Sequence, residues 1–183
     1  MRRTRKFFSI IAICSTCGCV SQPAFIATVS RPSDIPADWV LLNAYDIFTL
    51  WAPAGTRFQA EQGIDSTVGQ FVGRNFRIGM DYGIYAPPFR RIRDNPRYSP
   101  ETMVIDGKEA IIIDYPGEED ECSGRMVAVD ILGVGRLSFP DTIFPGASEE
   151  GGEITLWMYA CLSRGGMADT IKHVFRTVHF LKK

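Results

Sequence analysis

The middle of the chain reads Thr102-Met-Val-Ile105, then Asp106-Gly107, and two residues later Ala110-Ile-Ile-Ile-Asp114. Two apolar, β-branched runs on either side of an Asp-Gly pair are typical of a β-hairpin, because Asp and Gly both tolerate the positive φ of a tight turn. The segment therefore predicts a hairpin within an antiparallel sheet.

Further runs of alternating apolar and polar residues extend this sheet. They occupy residues 46–51, 76–82, 125–131 and 154–160, and Pro- or Gly-rich segments lie between several of them. One helix is predicted over residues 167–176, where Ala168, Ile171, Val174 and Phe175 recur at helical spacing. Residues 179–181 can follow as a short strand. The expected fold is α+β, with an antiparallel sheet of five or more strands packed with helices and a closing C-terminal helix.

The N-terminus has the pattern of an export signal. Four cations stand within residues 2–6, an apolar run follows at 7–13, and the first acidic residue of the chain is Asp34. The apolar run is shorter than the roughly 20 residues that span a bilayer as a helix. We therefore interpret residues 1–18 as a signal peptide.

Thr16-Cys17-Gly18-Cys19 is similar to a bacterial lipobox, in which a small residue precedes the lipidated cysteine. Cys19 is the predicted lipidation site; cleavage at Cys17 or by an ordinary signal peptidase is the alternative. Val20 after Cys19 favours the outer membrane, facing the periplasm or the cell surface. Residues 19–38 would form a tether, and 39–183 a single globular domain.

The exported chain would be mildly acidic. Removing residues 1–18 takes away four cations and no acid, which shifts the formal net charge from −1 to −5. This charge disfavours a dedicated nucleic-acid binder. With 45% hydrophobic and 22% charged residues, the chain is also neither disordered nor fibrous.

Two cysteines, Cys122 and Cys161, lie beyond the signal region. In an oxidising compartment such a pair indicates a disulfide, with a free or catalytic thiol as the alternative. Antiparallel pairing of the strands at 125–131 and 154–160 would bring the two cysteines close to opposite positions.

Three short segments resemble the small PsbP/Mog1-like domains. These are Phe48-Thr-Leu-Trp-Ala-Pro53, Ile105-Asp-Gly-Lys-Glu-Ala110 and the terminal run at 171–180. The resemblance covers residues 46–180 and implies a sandwich of sheet and helices. It also implies an accessory or binding role, because bacterial members are largely exported proteins or lipoproteins. It transfers no active site, since that fold carries none in common.

Histidine chemistry is limited to His173 and His179. The chain contains no His-Glu-x-x-His or paired-cysteine motif, so neither a metal site nor a cofactor is expected. His173 lies off the apolar stripe of its helix and is expected at the surface, whereas His179 can face water or the sheet edge. Gly133-Val-Gly135 lacks the third glycine and the helix of a dinucleotide loop.

Paired carboxylates would be the simplest route to catalysis. The candidates are Asp65, Asp81, Asp114 and Asp130, and each can equally be a solvated turn or strand residue. A hydrolase could otherwise use Ser66 with one of the histidines. An acidic run at 118–121 lacks EF-hand spacing and is expected to be solvated.

A basic segment after Pro87-Pro88 is the strongest local charge asymmetry. Its arginines can bind phosphate or carboxylate groups by paired hydrogen bonds, and aromatic residues flank them. The alternative is a solvated loop paired with the 118–121 acids. The predicted binding residues are Arg90, Arg91, Arg93, Arg97 and Tyr98.

These observations predict a lipid-anchored, extracytoplasmic binding or accessory protein of the cell envelope without catalytic activity. Its partners would be the membrane, through the lipid, and an envelope protein, with no nucleic acid. The alternatives are a small extracytoplasmic hydrolase and an inhibitor or immunity-type protein.

Overall fold

A computed structural model describes residues 30–84, 98, 100–117, 122, 124–136, 153–162 and 165–181. Within these residues ten strands form two antiparallel sheets. The strands are β1 (Trp39–Ala44), β2 (Phe48–Pro53), β3 (Arg57–Ala60), β4 (Thr67–Val72), β5 (Arg77–Gly83), β6 (Glu101–Ile105), β7 (Lys108–Pro116), β8 (Arg125–Arg136), β9 (Glu153–Leu162) and β10 (His179–Phe180).

The small sheet has the strand order β1-β2-β10, and the large sheet has the order β3-β4-β5-β9-β8-β7-β6. A 3-10 turn (Gly165–Met167) leads from β9 into the helix α1 (Ala168–Arg176). No helix in the described part of the chain is long and apolar enough to cross a membrane.

The α+β prediction is wrong. Strands account for 58% and helices for 10% of the described residues, so the fold is mostly antiparallel β. Three strands that the sequence interpretation omitted (β1, β3 and β4) account for much of the difference. The exposed, polar character of β3 gives it little of the apolar signal by which strands are recognised.

The central hairpin is confirmed. β6 and β7 pair in antiparallel register, and Asp106 and Gly107 take φ values of 48° and 76° in the turn between them. The first predicted strand starts late, at Phe48, because Tyr45 and Asp46 have positive φ values and form the turn between β1 and β2.

The main core lies between one face of the large sheet and a layer formed by α1 and the small sheet. Its fully buried side chains come from all three parts, among them Leu50 of β2, Met158 of β9 and Phe175 of α1. The predicted helix is thus confirmed over Ala168–Arg176, with its apolar stripe against the sheets. This arrangement leaves the second face of the large sheet for other contacts.

Candidate functional site

The second face of the large sheet has two parts: β7 and β8 carry a second buried apolar cluster there, and β5 and β9 carry polar and aromatic side chains. Successive side chains of a strand point to opposite faces, and β9 shows this alternation clearly. Leu156, Met158 and Ala160 are fully buried in the main core, whereas Trp157 and Tyr159 lie on the second face and are half-buried.

A cleft of about 400 Å³ lies on this face, and we call it the Tyr159 cleft. Strands β4, β5 and β9, and the residue that follows β3, supply its walls. Its lining residues are Glu61, Gln70, Arg77, Gly79, Tyr159 and Cys161.

Tyr159 owes its position to a glycine on the neighbouring strand. Gly79 is paired directly with Tyr159, and a Cβ at position 79 would lie 2.5 Å from the Tyr159 ring. The ring therefore lies across the backbone of β5. On β9 it stacks with Trp157, with 4.4 Å between the ring centroids. The glycine and the tryptophan together define where the tyrosine ring lies.

Glu61 is oriented by contacts from two directions. Its backbone N–H donates to the Tyr45 hydroxyl at 3.0 Å, and that hydroxyl donates to the Val68 carbonyl at 2.7 Å. Its carboxylate accepts a hydrogen bond from the Gln70 side-chain amide. The amide draws the carboxylate toward the cleft and leaves the Gln70 carbonyl oxygen as an acceptor.

Arg77 carries an exposed guanidinium on the opposite side of the cleft from Glu61. In the strand register Val72 lies between Arg77 and Arg57, so both arginines share the second face. Among the described residues, neither arginine has a carboxylate oxygen within 4.0 Å, and Glu61 and Arg77 are not paired with each other. The cleft therefore has a basic and an acidic pole, each available to a ligand.

Two of the four predicted carboxylates also come together on this face. Asp81 and Asp130 both pair with Trp157, one from each side, so their Cα atoms are separated by roughly 10 Å across two strand spacings. Asp130 is 6% exposed. One oxygen of Asp81 is buried and accepts no hydrogen bond. An acidic row therefore flanks the indole beside the Tyr159 cleft.

Asp114 lies on the other face, where it joins the sheet to the helix. Arg125 binds it with two nitrogen atoms, with 2.7 Å between Nη2 and Oδ2, and Lys172 Nζ lies 2.7 Å from Oδ2. Burial raises the pKa of the Asp114 carboxyl, but the hydrogen bonds and charges of Arg125 and Lys172 outweigh that and hold it below its usual range. Asp114 is thus a structural ion-pair centre.

The histidines form no shared site. His173, which was predicted to lie at the surface, packs against Trp39 with 4.9 Å between ring centroids and is half-buried there. His179 Nδ1 lies 2.9 Å from Asp106 Oδ1, and the other Asp106 oxygen accepts from the Phe180 N–H. The aspartate of the hairpin turn thereby holds β10 in place. No cluster of metal ligands occurs among the described residues.

Ser66 lines a second cleft of about 420 Å³, together with Asp65, Tyr82 and Gly83. The Ser66 side chain packs on Gly83, where an added Cβ would lie 2.8 Å from the Ser66 Cβ. The contacts of His173 and His179 lie elsewhere, so the described residues do not provide Ser66 with an imidazole partner.

Cys122 and Cys161 form a disulfide with 5.5 Å between their Cα atoms. The antiparallel register of β8 and β9 places Met126 opposite Cys161, as the predicted pairing of these strands required. Cys161 is exposed and lines the Tyr159 cleft, so one half of the disulfide forms part of its wall.

Several predicted sites fall outside the described residues. These include Cys17, Cys19, the acidic run at 118–121, and the arginines at 90, 91, 93 and 97. Tyr98 is described, and its ring packs edge-on against Tyr115 with 4.5 Å between centroids. Gly133 and Gly135 lie within β8, at a register shift, rather than in a phosphate-binding loop.

Sequence reasoning missed the residues of the Tyr159 cleft. Glu61, Gln70, Arg77 and Tyr159 come from separate segments and form no motif. The available signal was the alternation of β9, which places Trp157 and Tyr159 on one face, and the glycine at 79 in a strand pattern. Only the pairing of β5 with β9 joins these two signals.

The chain matches no family model, and no curated protein matches it. Among solved structures, it is similar to a crystal structure from Bacteroides thetaiotaomicron VPI-5482 with 14% identity and a TM-score of 0.42. The match covers 74% of this chain and 46% of that one.

Proposed function

We propose that this protein is a lipid-anchored, extracytoplasmic binding protein that engages its ligand or partner at the Tyr159 cleft. One observation carries the proposal: Glu61 and Arg77 line the same cleft as the Tyr159 ring, which stacks on Trp157, and among the described residues the two charges are not paired with each other. Charged groups without an oppositely charged partner, next to an aromatic surface in a cleft, are typical of binding sites.

The disulfide supports an extracytoplasmic location. Cys122 is 3% exposed and packs in a second apolar cluster with Ile113, Tyr115 and Met126. Such bridges persist in oxidising compartments and are rare in reducing ones. The signal and lipobox patterns at residues 1–19 predict the same location independently.

The binding role takes the form of an accessory subunit in an envelope complex. This is what the resemblance to PsbP/Mog1-like domains implies. An inhibitor or immunity-type protein would use the same kind of surface, because it also acts by holding a partner.

A small hydrolase is the second candidate, and the row of Asp81, Trp157 and Asp130 favours it. Two carboxylates around an aromatic ring can divide acid and base roles when their environments differ. Asp81→Asn would then abolish turnover of a glycan substrate while leaving its binding intact. Equal effects on binding and turnover would contradict this candidate.

Lipid anchoring can be tested in the native host by membrane fractionation and mass spectrometry of the mature N-terminus. We expect the chain in the membrane fraction with a diacylated Cys19, and Cys19→Ala should release it or leave it unprocessed. Cys17→Ala is the matched control and should keep both properties. An unmodified N-terminus in the soluble fraction would refute the anchor.

Binding at the cleft can be tested by crosslinking the tagged full chain in native membranes. Arg77→Gln should lose the specific crosslinked species. Arg74→Gln should retain it, because Arg74 is an exposed arginine of the neighbouring turn and does not line the cleft. Identical crosslinks from both variants would rule out this cleft as the contact surface.

A further inference from the structure

We infer that the Tyr159 cleft binds an acidic sugar, that is, a pyranose ring that carries a carboxylate. This assignment rests on the proposed binding function and names the chemical class of its ligand. Three features of the second face carry it: the face of the Tyr159 ring that does not stack on Trp157, two arginines without acidic partners, and a side-chain amide whose oxygen is left to accept.

The Tyr159 ring offers one of its faces to a ligand. Trp157 and Cys161 lie two residues before and two residues after Tyr159 on β9, so all three share one side of the sheet. Trp157 stacks on the Tyr159 ring, with 23° between the ring planes. The opposite face of the ring is turned away from Trp157, and Tyr159 is only half-buried and lines the cleft. A pyranose can pack on such a face, because the negative face of an aromatic ring attracts the polarised C–H groups of a sugar.

Two arginines supply the site for the carboxylate. Arg77 lines the cleft, and Arg57 lies on the same face two strands away, with Val72 between them. Two strand spacings separate their Cα atoms by roughly 10 Å, a gap that two arginine side chains can close from opposite sides. Both residues are exposed, and within the described part of the chain no carboxylate oxygen lies within 4.0 Å of either guanidinium. A guanidinium matches a carboxylate with two parallel N–H donors, so a ligand carboxylate would bind here without breaking an existing ion pair.

The Gln70 amide serves the hydroxyl groups of the sugar. Gln70 and Tyr159 pair with Gly79 from opposite sides, so the amide and the ring flank the same glycine. The Gln70 nitrogen donates to the Glu61 carboxylate, which leaves the Gln70 carbonyl oxygen to accept from a sugar hydroxyl. Because this contact orients the amide before any ligand arrives, little side-chain freedom is lost on binding.

The combination of these groups favours an acidic sugar over simpler anions. A bare anion would use the arginines and leave the aromatic face and the amide without a role. An aromatic acid would use the ring and the arginines, but it has no hydroxyl group for Gln70. The cleft volume of about 400 Å³ lies within the range of small-molecule sites and is large enough for one pyranose ring.

The test is calorimetric titration of the full chain, purified in a detergent that has no sugar headgroup. The ligands are glucuronic, galacturonic and N-acetylmuramic acid, their neutral counterparts glucose, galactose and N-acetylglucosamine, and the simple carboxylates acetate and benzoate. We expect at least one acidic sugar to bind about tenfold or more tightly than its neutral counterpart and than both simple carboxylates. Equal binding of acidic and neutral sugars, equal binding of acetate or benzoate, or no binding of any acidic sugar would overturn the inference.

Three variants assign the contacts. Arg77→Gln and Arg57→Gln should each reduce the preference for the acidic over the neutral sugar, because each removes donors to the carboxylate. Tyr159→Leu should weaken both sugars by a similar factor, because it removes the stacking surface and leaves the arginines in place. The control Arg74→Gln should bind as the wild type does, since Arg74 does not line the cleft. If the preference for the acid survives in both arginine variants, with folding verified by circular dichroism, the inference fails.

The outcome also separates this inference from the proposed function. Crosslinks that depend on Arg77, without binding of any acidic sugar, would refute the sugar ligand and retain the binding protein. The absence of both would refute both.

Discussion

Breaking the disulfide should destabilise the protein substantially. The perturbation is the double substitution Cys122→Ala and Cys161→Ala, or treatment of the wild type with a thiol reductant. The bridge links residues 39 positions apart. Closing a loop of that length lowers the entropy of the unfolded chain by an amount equivalent to about 4 kcal/mol.

The assay is urea unfolding followed by circular dichroism. With a urea dependence of about 2 kcal/mol per molar, a loss of about 4 kcal/mol lowers the unfolding midpoint by about 2 M. Reductant should lower the wild-type midpoint by a similar amount and should leave the double variant unchanged. If reduction shifts the wild-type midpoint by less than roughly 0.5 M, or about 1 kcal/mol, the entropic reasoning is refuted.

The remaining predictions concern the ion-pair centre, the cleft and the core. Asp114→Asn should lower the free energy of unfolding at neutral pH by about 1–2 kcal/mol. The pKa of Asp114 is lowered in the folded state, so its contribution is present above about pH 4 and is lost as the pH falls through the folded value. When urea unfolding is measured across a range of pH, the free energy of unfolding of the variant should therefore fall less on acidification than that of the wild type. The same pH dependence in both proteins would contradict this. Gly79→Ala should lower the free energy of unfolding by about 1–3 kcal/mol and alter the tryptophan fluorescence, because the added Cβ meets the Tyr159 ring. Gly166→Ala is the control: its added Cβ has no atom within 4 Å, so it should change neither quantity. Phe175→Ala removes a fully buried ring and should lower the free energy of unfolding, measured by thermal unfolding, by about 3–5 kcal/mol. A decrease below about 1 kcal/mol would show that α1 is not part of the main core.

Local patterns were sufficient where the interaction itself is local. The turn at Asp106 and Gly107 depends on the φ preferences of two adjacent residues, and the structure confirms it. The helix at Ala168–Arg176 follows from apolar spacing within three turns. The expected pairing of β8 with β9, which brings Cys122 to Cys161, needed only one antiparallel neighbour and is also confirmed.

The fold class was mispredicted for a related reason. Strand β3 has only four residues, and the open face of β4 combines Val68 and Val72 with Gln70, so neither strand shows a long alternation of apolar and polar residues. β1 lies at the start of the predicted domain, in a segment where no strand was predicted. The sequence interpretation therefore predicted too few strands and gave helices too large a share of the fold. Since β3 and β5 carry polar residues such as Arg57, Arg77 and Asp81 on the second face, apolar content alone understates the size of the large sheet.

The sequence by itself determined the central hairpin and the C-terminal helix, indicated the pairing of Cys122 with Cys161, and predicts an export signal ahead of them. The tertiary structure decided which strands become neighbours. Placing β9 between β5 and β8 brings Tyr159 onto Gly79, sets Asp81 and Asp130 around Trp157, and leaves Glu61 and Arg77 facing one cleft. Alternation along a strand is a local property that sequence patterns record, whereas the choice of a partner strand depends on packing between distant segments, which those patterns do not contain.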